Sequence, residues 1–193
     1  MAQIKINSPL ILASSSPRRQ ELLQRLDLQF SIVSPEIDES VLPNETANQY
    51  VARLAQEKAQ VVLQNNPNAI VIAADTTVCL EQEIIGKAES KEQAFEIWQK
   101  ISGRWHEVLT GVCVASATQS LTTVVSTKVE FQSLMPEEME EYWATGEPLG
   151  KAGAYAIQGV ASQYIPQLQG SYTNVVGLPL YETVQLLRKV AER

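Results

Sequence analysis

At 193 residues, with 45% hydrophobic and 19% charged residues, the chain has the composition of an ordinary globular protein. It is long enough to bury a core as one domain over 1–193, or as two small lobes sharing a sheet. The net charge of −7 argues against general nucleic-acid binding or membrane-surface binding, both of which favour basic faces, so any working cations must be gathered locally. There is no leader pattern and no apolar run of about 18 residues, so a soluble, cytoplasmic protein is expected.

Leu10 to Ala13 reads as a short buried strand, followed by a serine turn and a helix. Ser16 is a natural N-cap and Pro17 suits the first helical position, where its missing N–H costs nothing. Leu22, Leu23 and Leu26 give that helix an inward face. Phe30 to Val33 is strand-like and leads into the acidic segment Glu36, Asp38, Glu39. A long helix runs from about Thr46 to Gln64, with Thr46 and Gln49 as a capping box. Ala69 to Ala74 is an unbroken apolar run and the central-strand candidate. Thr77–Leu80 and Ile84–Ile85 suggest a hairpin, and Ser90 with Gln93 starts a helix to about Ile101. Val108–Ala115 and Leu121–Phe131 read as paired strands rich in Val and Thr. A helix from Pro136 to Thr145, a glycine-studded loop from 146 to 159, short strands near Tyr164 and Val175 and a helix from Pro179 complete the chain. Helices alternating with strands and antiparallel hairpins indicate a mixed α/β sheet. Cys79 and Cys113 lie in β-like runs and are expected to be buried thiols, not zinc ligands or a disulfide.

Arg18 and Arg19 are the first chemical anomaly. They fall in the first helical turn, at the positive end of the helix dipole, where a cation is disfavoured. Either they face water, or they and free backbone N–H groups converge on an anion such as phosphate. Asp75 follows the central apolar run, where α/β sheets place ligands; it is a cation holder or general base, or a turn residue that stops the strand. Lys58 sits seven residues after Val51 in the stripe Val51, Leu54, Ala55, Val62, so it snorkels to the edge or points into a polar cleft. Glu36, Asp38 and Glu39 are a solvated loop, or carboxylates that share magnesium with a phosphate ligand. Lys87 follows Gly86 without the glycine spacing of a Walker loop. Gln158 lies among glycines that allow close approach to a ligand, and its amide offers a donor beside an acceptor. His106 lacks a nucleophile partner motif and reads as structural. Cations that wait for an anion repel one another, so removal of Arg19 or Lys87 is expected to leave the ligand-free protein as stable or slightly more so.

In combination, Ser14-Ser15-Ser16-Pro17-Arg18-Arg19, Ile37-Asp38-Glu39, Glu57-Lys58-Ala59, Ala74-Asp75-Thr76-Thr77-Val78, Gly86-Lys87, the Ser102–Gly111 segment, Glu147–Gly159 and Gly170–Leu180 closely resemble the Maf family from about residue 8 to 190. The resemblance implies a nucleoside triphosphate pyrophosphatase that cuts the α–β bond and releases a nucleoside monophosphate and pyrophosphate. It implies an elongated mixed α/β fold in two lobes, inosine-triphosphatase-like, with a divalent cation (Mg²⁺ or Mn²⁺) and commonly a homodimer. Asp75 then matches the general base, and Ser14, Arg18, Arg19, Lys58 and Lys87 match phosphate-site residues. Glu39 matches a required acidic residue; with Asp75 it is the candidate cation ligand. Arg18, Thr76 and Gln158 resemble the branch that acts on dTTP and UTP, whereas a branch acting on 7-methyl-GTP carries an aromatic, a glutamine and a glutamate there. An amide can pair with the N3–H and carbonyls of uracil or thymine, and a glutamate would repel those carbonyls. Gly150 departs from the aspartate usual in that branch. The alternatives are a pyrophosphatase of broader base choice, including modified pyrimidine nucleotides, or a nucleotide-binding regulator of cell division and septum formation. A regulator would need no base at Asp75.

Overall fold

The computed structural model describes residue 4 and residues 6–191, so the outermost positions of the expected 1–193 domain lie outside the described residues. In chain order the elements are β1 (Leu10–Ala13), α1 (Pro17–Gln24), β2 (Ser31–Ile32), α2 (Ala47–Asn65), β3 (Ile70–Leu80), β4 (Glu83–Ile85), α3 (Lys91–Ile101), β5 (Trp105–Ala115), β6 (Ser120–Glu130), α4 (Pro136–Ala144), a 3₁₀ turn (Val160–Tyr164), β7 (Gln167–Gln169), α5 (Tyr172–Val176) and α6 (Leu180–Ala191). The strands form one mixed sheet in the order β2-β1-β3-β5-β6-β7, with β4 on β3. β2, β1 and β3 run parallel, and the remaining pairs are antiparallel.

Residue alternation sorts the core onto two faces of this sheet. Leu12, Ile72, Ala74, Val112 and Val114 enter the larger core with Leu22, Leu23, Trp98, Phe131 and Leu187. Ile11, Val71, Ala73 and Cys113 face α2 through Ala55, Ala59 and Val62. The expected capping box starts α2: Thr46 Oγ1 accepts from Gln49 N–H while Gln49 Oε1 accepts from Thr46 N–H. Gly111 lets α2 lie against the sheet, since a Cβ there would stand 2.1 Å from the Val51 carbonyl oxygen. Gly111 is also the cross-strand partner of Asp75. Two helical turns after Val51, Lys58 therefore meets the sheet beside that aspartate.

Four local readings change. The apolar run does not end at Asp75: β3 continues to Leu80, held by β-branched Thr76, Thr77 and Val78 and paired with β5 from Val71 to Cys79. Phe30–Val33 contracts to Ser31–Ile32, an exposed edge pair. Tyr164 closes a 3₁₀ turn and the short strand expected near it is β7, three residues on, whereas the stretch near Val175 is a helical turn, capped by Ser171 Oγ accepting from Asn174 N–H. Ser16 holds the N-cap position of α1 but makes no side-chain cap bond. Both cysteines are free, Cys113 buried and Cys79 half-buried.

Candidate active site

β1 pairs with β3 only as far as Ala13–Ala73, and β4 begins pairing at Val78. Between them the edge of β3 at residues 74–77 carries neither neighbour. A cavity of about 330 Å³ opens at this gap, lined by Ser14, Arg18, Arg19, Glu39, Lys58, Asp75, Thr76, Lys87 and Gln158 among others. Ser14 arrives directly after β1 and Lys87 two residues after β4, so both ends of the gap deliver a polar group. Ligands bind beside the carboxyl ends of strands in open α/β sheets, and here that end is β1's. The nine residues that the family resemblance assigns to the site all line this one cavity, whereas Glu36 and Asp38 of the acidic segment do not.

Asp75 and Thr76 are successive residues of one strand and serve opposite faces. On the α2 face, Lys58 Nζ donates to Asp75 Oδ1 at 2.7 Å and pairs with Glu39 Oε1 at 2.6 Å. Lys58 and Asp75 are both buried, so the lysine does not snorkel to the surface but bridges two carboxylates inside the cleft. Burial alone would raise the Glu39 pKa, but hydrogen bonding to Lys58 and the charges of Lys58 and Lys87 outweigh it and hold the carboxyl below its usual range. Burial first, then the charges of Asp75 and Glu39, push the Tyr50 phenol up to about 12. Its hydroxyl donates to the Glu39 carbonyl at 2.9 Å, and Arg53 fastens the same loop through the Ser40 carbonyl and Glu45. Glu36 and Asp38 do not join the site. Both are exposed, and the Asp38 carboxylate accepts from Ser40 N–H and Oγ–H.

On the other face, Arg19 is committed to the protein. Nε donates to the Gly177 carbonyl at 2.7 Å, Nη1 to Ser14 Oγ at 3.3 Å and Nη2 to Thr76 Oγ1 at 3.0 Å. Burial lowers its pKa, with Asp75 opposing and Arg18 adding to the shift. Arg18 is likewise lowered by burial, against the attraction of Glu21. Three of Arg19's five N–H bonds are spent on the fold, which leaves two for an anion.

The rim differs from this floor. The Lys87 side chain is 56% exposed and stands 3.4 Å from Glu39 Oε2, and Gln158 is exposed at the cavity mouth. The loop 146–159 is tied to the gap by a bridge between Lys87 and Ala152. Glu147 fixes its far end, accepting from the N–H groups of Val160 and Ala161 and from Tyr142 O–H. Gly159 leaves room for that carboxylate, because a Cβ there would meet Glu147 Oε2 at 1.9 Å. Behind Tyr155, which lines the cavity, His106 Nε2 lies 2.7 Å from the phenol oxygen. Burial pushes the His106 pKa down to about 4, so the ring is neutral and structural, as expected.

Lys151, Tyr155 and Gly177 line the cavity and were not identifiable from sequence spacing. Lys151 lay in the glycine segment without a pattern of its own, and Gly177 contributes only a carbonyl. Among the described residues no three His, Cys, Asp or Glu side chains gather to hold a metal. Asp75 and Glu39 nevertheless converge on one point, occupied by Lys58 Nζ, and two carboxylates with substrate phosphates are a donor set that magnesium accepts.

The sequence of residues 9–190 matches the family model described as Maf-like protein. A dTTP/UTP pyrophosphatase of Acinetobacter baylyi is 62% identical over 93% of this chain and 98% of its own length. One of Myxococcus xanthus is 50% identical over 93% of this chain and 91% of its own. In structure, the Staphylococcus aureus Ham1 protein aligns with 64% of this chain and 71% of its own at TM-score 0.48 and 12% identity.

Proposed function

The chain belongs to the Maf family, and we propose that it is a nucleoside triphosphate pyrophosphatase that converts dTTP and UTP to the nucleoside monophosphate and pyrophosphate. The observation that carries this reading is the Glu39–Lys58–Asp75 cluster set among Arg18, Arg19 and Lys87 in one cavity. A regulator would need the cations for binding but no buried carboxylate beside them.

Asp75 Oδ1 is oriented by Lys58, which leaves Oδ2 to take a proton from water. The water oxygen attacks the α-phosphorus, the bond from that phosphorus to the bridging oxygen breaks, and pyrophosphate leaves with the electron pair. Arg19, Arg18, Lys87 and the Ser14 hydroxyl hold the phosphate oxygens and stabilise the charge that develops on them. A divalent cation would be held by Asp75 and Glu39 together with phosphate oxygens, where it would neutralise phosphate charge. Gln158 at the mouth reads the imide edge of the pyrimidine, with Arg18 and Thr76 as the other positions tied to base choice by the family resemblance. That resemblance also supports a single domain acting in a cytoplasmic homodimer. The charge of −7 and the lack of any described helix long and apolar enough to cross a membrane accord with a partner that is free nucleotide.

The test is product analysis from dTTP, UTP, CTP, ATP, GTP and 7-methyl-GTP, with and without Mg²⁺ or Mn²⁺. The expected result is monophosphate and pyrophosphate in equal amounts, fastest from dTTP and UTP. Release of orthophosphate, or no turnover of any triphosphate with either metal, would overturn the reading.

A further inference from the structure

Arg19 is held by a chain of hydroxyls whose direction chemistry leaves no freedom to choose. Thr76 and Thr110 face each other across β3 and β5, with their Oγ1 atoms 2.9 Å apart. Thr110 is fully buried, and its Oγ1 lies 3.0 Å from the Asn174 carbonyl oxygen. A carbonyl only accepts, so the single Thr110 proton goes to Asn174. Thr110 must then accept the Thr76 proton, and Thr76 must accept from the guanidinium, which only donates. The path Arg19 Nη2–H to Thr76, Thr76 O–H to Thr110 and Thr110 O–H to Asn174 is thus fixed in polarity from end to end. Its terminus is fixed as well. The Asn174 side chain, fully buried, donates to the Val108 carbonyl and to Thr127 Oγ1, each at 2.9 Å, and this pins α5 to the sheet. The same short segment offers the Gly177 carbonyl to Arg19 Nε. Two carbonyls of one anchored turn therefore set the plane of the guanidinium.

We propose that Thr110 is a positioning residue for substrate phosphate binding, acting through Thr76 on Arg19; this rests on the phosphate-binding role given to Arg19 above. Without the Thr110 hydroxyl, the Thr76 proton loses its acceptor and turns toward the guanidinium, which cannot accept it. Arg19 then loses one of its three anchors.

The experiment is a double-mutant cycle with Thr110→Val, Thr110→Ser, Arg19→Ala and Thr110→Val/Arg19→Ala. The readouts are steady-state kinetics on dTTP and UTP and calorimetric affinity for inorganic tripolyphosphate. Thr110→Val is expected to raise KM by about 5- to 50-fold, equally for both nucleotides, with a smaller change in kcat, and to weaken tripolyphosphate to a similar extent. Thr110→Ser is expected to restore both. In the Arg19→Ala background the valine substitution should cost nothing further. An equal loss with and without Arg19, or no loss at all, overturns the proposal and leaves Thr110 a core residue. If valine does not fold, Thr110→Ala takes its place in the cycle. If the wild-type protein hydrolyses no triphosphate, the activity reading falls while tripolyphosphate affinity still decides the role of Thr110. Absence of tripolyphosphate binding by the wild-type protein overturns the positioning role too.

Discussion

The floor and the rim of the cleft carry the same kinds of side chain and use them differently. On the floor, Lys58 and Asp75 are buried and Arg19 half-buried, and all three are hydrogen-bonded to elements far apart in the chain. On the rim, Lys87 and Gln158 sit on loops, largely in solvent, with few partners. Cations on the floor are therefore held by the fold, whereas the rim cation Lys87 has only a long, exposed ion pair with Glu39. Burial explains why. A buried charge must be paired before any substrate arrives, and an exposed one is already satisfied by water.

The largest expected effect is on the floor. Asp75→Asn keeps the side-chain shape and removes the base, and should cut turnover by about 10²–10⁴-fold while a triphosphate still binds. Single-turnover kinetics beside equilibrium binding of dTTP will check this. Near-normal turnover would reduce Asp75 to a partner of Lys58 and shift the search for a base to Glu39.

The next effect concerns the support behind the rim, where His106 meets Tyr155. With its folded pKa near 4 against 6.5 when unfolded, His106 contributes nothing to pH dependence above about 6.5. As pH falls from 6.5 towards 4, the unfolded chain takes up a proton that the folded ring refuses. Stability should then drop by about 3 kcal/mol in total, the full loss being reached near pH 4. His106→Gln should flatten that limb in a series of thermal melts, and Glu39, also lowered, should leave a residual acid sensitivity in both proteins. Parallel limbs in the two proteins would contradict a neutral buried ring.

Base choice comes third. Gln158→Glu should depress dTTP and UTP use by roughly 5- to 150-fold relative to 7-methyl-GTP, measured by competition between paired substrates. Equal losses on every base would assign Gln158 to the loop or the phosphates.

The smallest effects draw the comparison most finely. Arg19→Ala and Lys87→Ala should both weaken triphosphate hydrolysis, yet their ligand-free stabilities should part. Arg19 leaves three acceptors behind, one of them the Gly177 carbonyl, and its loss should cost about 1–3 kcal/mol. This reverses the sequence-based expectation that a cation near a helix N-terminus is released without cost. Lys87, in an exposed and long ion pair, should change stability by no more than about 0.5 kcal/mol. Equal melting temperatures for the two variants would erase the distinction between floor and rim.

Much of the site was legible because its residues break local rules. Two arginines at a helix N-terminus, a lysine inside an apolar stripe and an aspartate after a central apolar run each conflict with their surroundings, and each lines the cavity. The α2 capping box and the alternation of α and β were equally readable, since they depend on residues a few positions apart. Asp75, by contrast, read as the end of a strand. Nothing local reveals that β1 and β4 leave residues 74–77 uncovered while β5 continues the pairing, because strand register joins segments tens of residues apart. Glu36 and Asp38 were indistinguishable from Glu39 by local pattern; the family resemblance singled out Glu39, and the path of the loop pinned by Tyr50 and Arg53 is what brings that one carboxylate of the three to Lys58. Thr110 and Gly177 carry no chemical signature at all, as their parts rest on a hydroxyl and a carbonyl brought to Arg19 from 91 and 158 positions away. The sequence by itself determined which charged side chains stand out against their local surroundings as suited to a phosphate ligand. The tertiary structure decided which of them are held rigid before it arrives, because only long-range packing supplies partners to a buried charge.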